Sequence, residues 1–170
     1  MADRQDPRQD PRTEARYDPR YDPRAAEQER PRPFADLEPP PPDVVPGGEL
    51  YDWYLRGVEL LESGDAGAAV QLLQHTASAE PESRAVREAL ARAQFDMGMY
   101  DEARANFEWI ISINPADDYA RFGLGLAATK GGDLPSAVEH LALAAAMRPD
   151  IAYYSTALRG ARAALTAARR

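Results

Sequence analysis

The side chains that most often perform catalysis or bind metals are scarce in this 170-residue sequence. It contains no cysteine, and its two histidines, His75 and His140, lie far apart without the histidine and carboxylate spacing of a metal site. The sequence therefore offers no thiolate nucleophile, no disulfide and no cysteine-based zinc site. We expect both histidines to be surface residues, and we predict a protein that is not an enzyme and has no metal or cofactor.

One glycine-containing stretch invites comparison with a phosphate-binding loop. Residues 125–141 read GLAATKGGDLPSAVEHL. The phosphate-binding fingerprint needs a glycine, four residues and then Gly-Lys-Ser/Thr after a strand. Here Lys130 precedes the glycine pair and falls in a helical segment, so we predict a turn between two helices. Gly132 suits the left-handed conformation after a helix, and Asp133 suits the N-cap of the next one.

Proline divides the chain into two parts of different character. Eleven of the 15 prolines lie between Pro7 and Pro46, where large apolar side chains are few. Such a segment cannot bury enough apolar surface to offset the entropy of ordering its backbone. We predict that residues 1–48 form a disordered polyampholyte tail rich in Pro, Arg and Asp. The tail would act as a spacer or solubilising segment, with a docking arm as the alternative, and residues 49–170 would form the folded domain.

Charge and hydropathy narrow the classes of partner. The formal net charge of −8 argues against binding to nucleic acid, which depends on concentrated positive charge. The N-terminus has no apolar segment typical of a signal peptide, and the chain has no run of about 18 apolar residues. We therefore expect a cytoplasmic protein without membrane insertion. Abundant alanine and arginine with a single lysine indicate a GC-rich bacterial source.

A regular period runs through the folded part. Pro81, Pro115 and Pro149 follow one another at a constant 34-residue interval. Three series of small residues and one of large apolar residues share this spacing: Gly57, Ala91 and Gly125; Gly64, Gly98 and Gly132; Ala69, Ala103 and Ala137; and Leu73, Phe107 and Leu141. Several independent series with one period indicate a repeated structural unit.

This pattern resembles the tetratricopeptide repeat, a 34-residue helix-turn-helix unit. The resemblance implies three repeats, 50–83, 84–117 and 118–151, with a capping helix at 151–168. The implied fold is an all-α, right-handed superhelical solenoid of antiparallel helix pairs with seven helices. The second repeat departs most from the pattern, with Arg87 in the position of Trp53 and Gln94 where an aromatic is usual, so we expect weaker packing there. Its turn, Gly98-Met99, also lacks a capping aspartate.

The resemblance further implies that the first helix of each repeat lines a concave groove that binds a partner peptide. The positions that would line it are Tyr51, Tyr54, Leu55, Val58, Glu88, Arg92, Phe95, Asp96, Tyr119, Phe122, Leu126 and Lys130. The lysine and asparagine clamp for a C-terminal carboxylate is absent from the corresponding positions, so we expect an apolar or aromatic ligand segment. Glu88, Arg92 and Asp96 share one helix face through i,i+4 spacing, and we expect them to contact the ligand backbone or a basic residue.

Two alternatives remain for this surface. The groove is open to a partner, or it is covered by the tail's own Phe34, Leu37, Val44 or Val45 or by a second copy of the chain. The function that follows is a non-enzymatic adaptor or scaffold for protein partners. A dedicated chaperone for an export or membrane client, and a self-associating scaffold, are the alternatives.

Overall fold

Helices make up most of the part of the chain that the structure describes. The structure is a computed structural model, and it describes Pro33, Phe34, Leu37 and residues 47–170. Seven helices lie within residues 47–170, and no strand does: α1 (Glu49–Ser63), α2 (Ala66–Ala79), α3 (Arg84–Asp96), α4 (Tyr100–Ile113), α5 (Asp118–Gly131), α6 (Leu134–Met147) and α7 (Ala152–Ala168). The predicted all-α fold of three helix pairs and a final helix is confirmed. The prediction of disorder for residues 1–48 falls almost entirely outside the described residues and stays a prediction.

The two helices of each pair are joined through a glycine in the left-handed region. Gly64, Gly98 and Gly132 have φ angles of 89°, 79° and 86°. A side chain is strained in this conformation, whereas glycine adopts it freely at the end of a helix. The glycine pair within residues 125–141 is therefore part of a turn, as the sequence predicts.

The caps of the second helices differ between the three repeats. The Asp65 carboxylate accepts a hydrogen bond from the Ala68 amide at 3.1 Å, and the Asp133 carboxylate accepts one from the Ser136 amide at 3.3 Å. Met99 occupies the equivalent position before α4 and offers no side-chain cap. The second turn therefore lacks a stabilising contact that the other two possess.

Small residues let the two helices of a pair approach closely. A Cβ on residue 57 would lie 2.6 Å from the Leu73 side chain, and one on residue 125 would lie 2.6 Å from Leu141 Cγ. The alanine series at the same crossings is fully buried: Ala69, Ala103 and Ala137. The periodic glycines are thus points of close contact between the two helices of a pair.

The first helices of the repeats form one continuous layer. Helix α1 contacts α3, α3 contacts α5, and α5 contacts α7, whereas α2, α4 and α6 contact only the helices that adjoin them in this part of the chain. Helices that meet in one layer and separate in the other produce a curved stack whose inner surface belongs to the first helices. The candidate site lies on this layer.

Helix α7 closes the stack of repeats. Tyr154 and Ala161 are each 1% exposed. The Tyr154 ring stacks on Phe122 with centroids 4.6 Å apart, and its hydroxyl donates to the Asp118 carboxylate at 2.9 Å. The final helix therefore covers the apolar face that the third repeat would otherwise leave open, as a capping helix must.

The second repeat has Arg87 where the first has Trp53, and the residue that contacts this position also differs, with Trp109 in place of His75. The guanidinium of Arg87 lies over the Trp109 ring at 4.2 Å from its centroid. In the first repeat the equivalent positions hold Trp53 and His75, whose rings are 4.7 Å apart. A cation over an aromatic face thus replaces a pair of rings at the same site.

Gln94 is likewise paired. Its side-chain oxygen accepts a hydrogen bond from Asn106 Nδ2 at 2.8 Å, and Asn106 Oδ1 accepts one from Arg87 Nη1 at 3.2 Å. These contacts join α3 to α4. The second repeat therefore has a buried polar network where the sequence alone suggested weaker packing.

Candidate binding groove

The twelve residues predicted to line a groove lie on the first helices of the three repeats, α1, α3 and α5. Those on α1 remain accessible. Tyr51 and Leu55 are 39% and 41% exposed, and Tyr54 and Val58 are half-buried. These four residues are called the open end of the groove. They form an accessible apolar and aromatic surface.

The residues on α3 and α5 are far less accessible. Phe95, Tyr119 and Phe122 are 6%, 3% and 0% exposed. Arg92, Asp96 and Leu126 are half-buried, and only Lys130, in the last turn of α5, is exposed. The middle of the predicted groove is therefore covered.

Phe34 provides the cover. It inserts among four aromatic side chains, here called the aromatic seat: Phe95, Phe107, Tyr119 and Phe122. The ring centroid of Phe34 lies 5.4, 5.9, 5.7 and 6.0 Å from theirs, respectively, and Phe34 is 3% exposed. Its ring stands edge-on to Phe95 and Phe122 and is stacked on Phe107, which are favourable arrangements for aromatic pairs.

Gly123 gives the Phe107 ring the space that it occupies. A Cβ on residue 123 would lie 2.6 and 2.7 Å from Cε1 and Cε2 of that ring. The residues equivalent to Phe107 in the other two repeats are leucines, Leu73 and Leu141. The aromatic seat therefore depends on two features. The second repeat has phenylalanine at residue 107 where the others have leucine, and the third repeat has glycine at residue 123, which leaves room for that ring.

Leu37 continues the contact of the N-terminal segment. Its amide donates to the carbonyl of Phe34 at 3.3 Å, and its partly buried side chain packs against the same core cluster. Of the alternatives that the sequence left open, the structure places Phe34 and Leu37 over the middle of the groove. Val44 and Val45 lie outside the described residues.

Phe122 belongs to the core and is not an exposed wall of the groove. Its ring stacks on Tyr154 and meets the edge of Tyr153 at 5.6 Å. Phe34 covers a further side at 6.0 Å. The structure therefore does not support an open groove at Phe122, one of the two alternatives that the sequence left, because Phe34 and the capping helix enclose the ring.

Glu88 also differs from its predicted setting. The expected ladder of Glu88, Arg92 and Asp96 would lie on an accessible face, yet Glu88 is 5% exposed. It forms an ion pair with Arg84, one turn earlier, at 3.4 Å. Burial raises the pKa of the Glu88 carboxyl to about 7, although Arg84 and Arg92 oppose the change.

Two hydrogen-bond donors beside the aromatic seat are buried without an acceptor. They are Arg92 Nε and the Tyr119 hydroxyl. Arg92 lies within electrostatic range of both Tyr54 and Tyr119, and burial raises the pKa of each tyrosine. A buried donor without a partner carries a free-energy cost that an incoming acceptor would remove.

An ion pair between the start of α3 and the N-cap of α5 supports this region, and the sequence did not reveal it. Arg84 donates to Asp117 Oδ2 from Nε at 3.0 Å and from Nη2 at 2.6 Å. The other oxygen of Asp117 accepts a hydrogen bond from the Ala120 amide at 2.9 Å. The 34-residue register marks Ser83 and Asp117 as equivalent N-caps, but it does not predict that Asp117 pairs with Arg84.

Among the described residues, neither histidine belongs to a group of side chains that could bind a metal. No group of three or more His, Asp and Glu side chains able to hold an ion occurs among the described residues. His75 is exposed, whereas His140 is half-buried with its Nδ1 enclosed, which corrects the expectation of two surface histidines. In the same part of the chain, none of the helices has the length and apolar character needed to cross a membrane.

The architecture is similar to that of several solved structures. The first TPR of Spaghetti (RPAP3) bound to the HSP90 peptide SRMEEVD is 17% identical, with a TM-score of 0.66, covering 72% of this chain and 97% of that one. The Sgt2 TPR domain from Aspergillus fumigatus is 19% identical, with a TM-score of 0.66 and coverages of 76% and 87%. The Yersinia enterocolitica translocator chaperone SycD is 18% identical, with a TM-score of 0.62 and coverages of 69% and 94%. At these identities the likeness is one of fold.

Sequence comparison identifies the repeat itself. No curated protein is significantly similar in sequence to this chain. Two family models, both described as tetratricopeptide repeat, match residues 60–108 and 88–152. They overlap and together extend from the first repeat to the start of the final helix. With the seven-helix architecture and the 34-residue period, these matches show that the chain belongs to the tetratricopeptide repeat family.

Proposed function

We propose that the protein is a non-enzymatic adaptor or scaffold that binds a peptide or helix segment of a partner protein along the inner layer of its repeats. The observation that carries the proposal is the aromatic seat, a pocket built by two repeats whose occupant, Phe34, comes from outside them. A pocket that binds an aromatic side chain from one segment can bind the same chemistry from another.

The open end of the groove supports the same proposal. Tyr51 and Leu55 are exposed beside the half-buried Tyr54, and the rings of the two tyrosines are 6.4 Å apart. Exposed aromatic and aliphatic side chains grouped on one face often mark an interaction site. The likeness in fold to the first TPR of Spaghetti, solved with an HSP90 peptide bound, is consistent with a peptide ligand.

A dedicated chaperone for an export or membrane client is the second candidate. It is favoured by the likeness in fold to SycD, a type III secretion translocator chaperone whose structure is described as an alternative dimer. The two functions differ in what would be bound. A chaperone would copurify with one aggregation-prone client, whereas an adaptor would bind partners that are stable without it.

Affinity capture with three forms of the full chain tests the proposal: the unmodified chain, Leu55→Glu in the open end, and Ile113→Glu as a control. Ile113 ends α4, a second helix, and is 59% exposed, so the same charge is introduced away from the inner layer. We expect Leu55→Glu to lose partners that Ile113→Glu retains, with circular dichroism showing that all three forms are folded. If the two substitutions have the same effect on every captured partner, the groove is not the binding surface.

A further inference from the structure

We infer that the segment carrying Phe34 and Leu37 is a ligand held within the chain, and that the aromatic seat takes a partner segment with an aromatic side chain and a hydrogen-bond acceptor oxygen in its place. The inference rests on the proposed function and specifies its ligand. The occupant defines the class of ligand because its side chain already satisfies the shape and the apolar character of the site.

Position along the chain separates this contact from ordinary core packing. Phe34 comes well before α1, which begins at Glu49, yet the rings that it packs on belong to α3, α4 and α5. Leu37 packs against the same cluster. Phe34 and Leu37 thus pack on the second and third repeats, where a partner segment would bind.

The polar surroundings show that this occupant is an incomplete ligand. With Phe34 in the seat, Arg92 Nε and the Tyr119 hydroxyl still have no acceptor, although the Tyr119 ring lies 5.7 Å from that of Phe34. A segment that placed a carbonyl oxygen there would gain hydrogen bonds that the chain's own segment does not make. Such a segment can therefore compete with the resident one.

Because Phe34 belongs to the same chain as its site, a partner segment must bind more tightly than Phe34 in order to displace it. A segment that belongs to the same chain as its site has an effective concentration that reaches about the millimolar range. A free segment of the same composition competes poorly, since its apparent affinity falls with the fraction of sites that are vacant. Removing the resident side chain should therefore expose the site to a free peptide.

The probe for the test is a fluorescein-labelled peptide of residues 30–41 of this chain, RPRPFADLEPPP. Its binding is measured by fluorescence anisotropy to the full chain, to Phe34→Ala and to Leu37→Ala. A peptide with alanine in place of its phenylalanine is the control. We expect the Phe34→Ala chain to bind the probe at least about tenfold more tightly than the unmodified chain, Leu37→Ala to be intermediate, and the control peptide not to bind.

Equal binding to the unmodified chain and to Phe34→Ala, or no binding to either variant while circular dichroism shows them folded, would overturn the inference. Light scattering adds a further outcome: a dimer that becomes a monomer in Phe34→Ala would overturn it as well, because a second copy would then fill the seat. The peptide result is independent of the capture experiment. The open end could still bind partners if the peptide result were negative, and the peptide could bind if Leu55→Glu had no effect on capture.

Discussion

Arg84 at the start of α3 donates two hydrogen bonds, of 3.0 and 2.6 Å, to the same oxygen of Asp117 at the start of α5. The two side chains are far apart in the sequence and are only 11% and 4% exposed. Asp117 also caps α5. One carboxylate thus caps α5, the first helix of the third repeat, and links it to α3, the first helix of the second, beside Glu88.

Removing that carboxylate should be costly. Asp117→Ala takes away the shortest ion pair of the buried Arg84 and also removes the cap, so we expect the free energy of unfolding to fall by about 3 kcal/mol. Asp133→Ala is the control, because Asp133 also caps a helix and pairs with an arginine, Arg104, but is more exposed. Its cost should be about 1 kcal/mol. Urea unfolding measures both, and equal losses would contradict the importance of the buried pair.

The buried Glu88 carboxyl predicts a specific dependence of stability on pH. Its pKa rises from 4.5 to about 7 in the folded chain, so folding favours the protonated form. Its contribution is fully present below about pH 4.5 and is lost as the pH rises through 7. Glu88→Gln keeps the shape without the titration. We expect the unmodified chain to lose roughly 2 to 3 kcal/mol relative to Glu88→Gln between pH 5 and pH 8.5.

Urea unfolding of both forms across this range provides the measurement for Glu88. Groups other than Glu88 titrate in both proteins and cancel in the difference, and Asp117 continues to pair with Arg84 in each. A difference that does not change with pH would show that Glu88 titrates normally in the folded chain.

Two tyrosines in contact with Phe34 or Phe122 should respond oppositely to loss of their hydroxyls. The Tyr119 hydroxyl is buried without a partner, so Tyr119→Phe should raise the free energy of unfolding by about 1 kcal/mol. The Tyr154 hydroxyl donates to Asp118 at 2.9 Å, so Tyr154→Phe should lower it by about 1 to 2 kcal/mol. Thermal unfolding compares the two, and a loss of stability in Tyr119→Phe would mean that its hydroxyl does have an acceptor.

A methyl group on residue 123 should disturb the aromatic seat. In Gly123→Ala the new Cβ meets the ring of Phe107, which is fully buried and packs on Phe34. We expect a loss of about 1 to 3 kcal/mol. Gly160→Ala is the control, because Gly160 lies within α7 and a methyl group there would have nothing within 4 Å. At that position alanine should add about 0.5 to 1 kcal/mol by favouring the helix. Similar effects of the two substitutions would contradict the packing described.

The features that the sequence predicted correctly are those with local causes. The turns follow from Gly64, Gly98 and Gly132, and the missing cap from Met99, because a few neighbouring residues decide each conformation. The closest contacts between helices follow from small residues that recur with the repeat. The turns and the contacts between paired helices recur every 34 residues, so they can be predicted from a single sequence.

The features that the sequence left open or did not predict depend on contacts between distant segments. Phe34 lies in a proline-rich context whose composition argues against order, and nothing periodic distinguishes it from its neighbours. The i,i+4 spacing of Glu88 and Arg92 is the same whether Glu88 is exposed or buried. Its burial depends on how closely α5 packs against α3. The choice between an open and a covered groove therefore required three-dimensional positions.

The central claim is that the inner layer of the repeats binds a protein partner. Photo-crosslinking tests it most directly, with benzoylphenylalanine introduced at Leu55 in the open end and, separately, at Ile113 on the outer helix α4. The proposal predicts that a partner crosslinks from position 55 and not from position 113, and that the crosslinked partner peptide contains an aromatic residue. Crosslinking of the same partner only from position 113, with the protein folded in both cases, would contradict the claim.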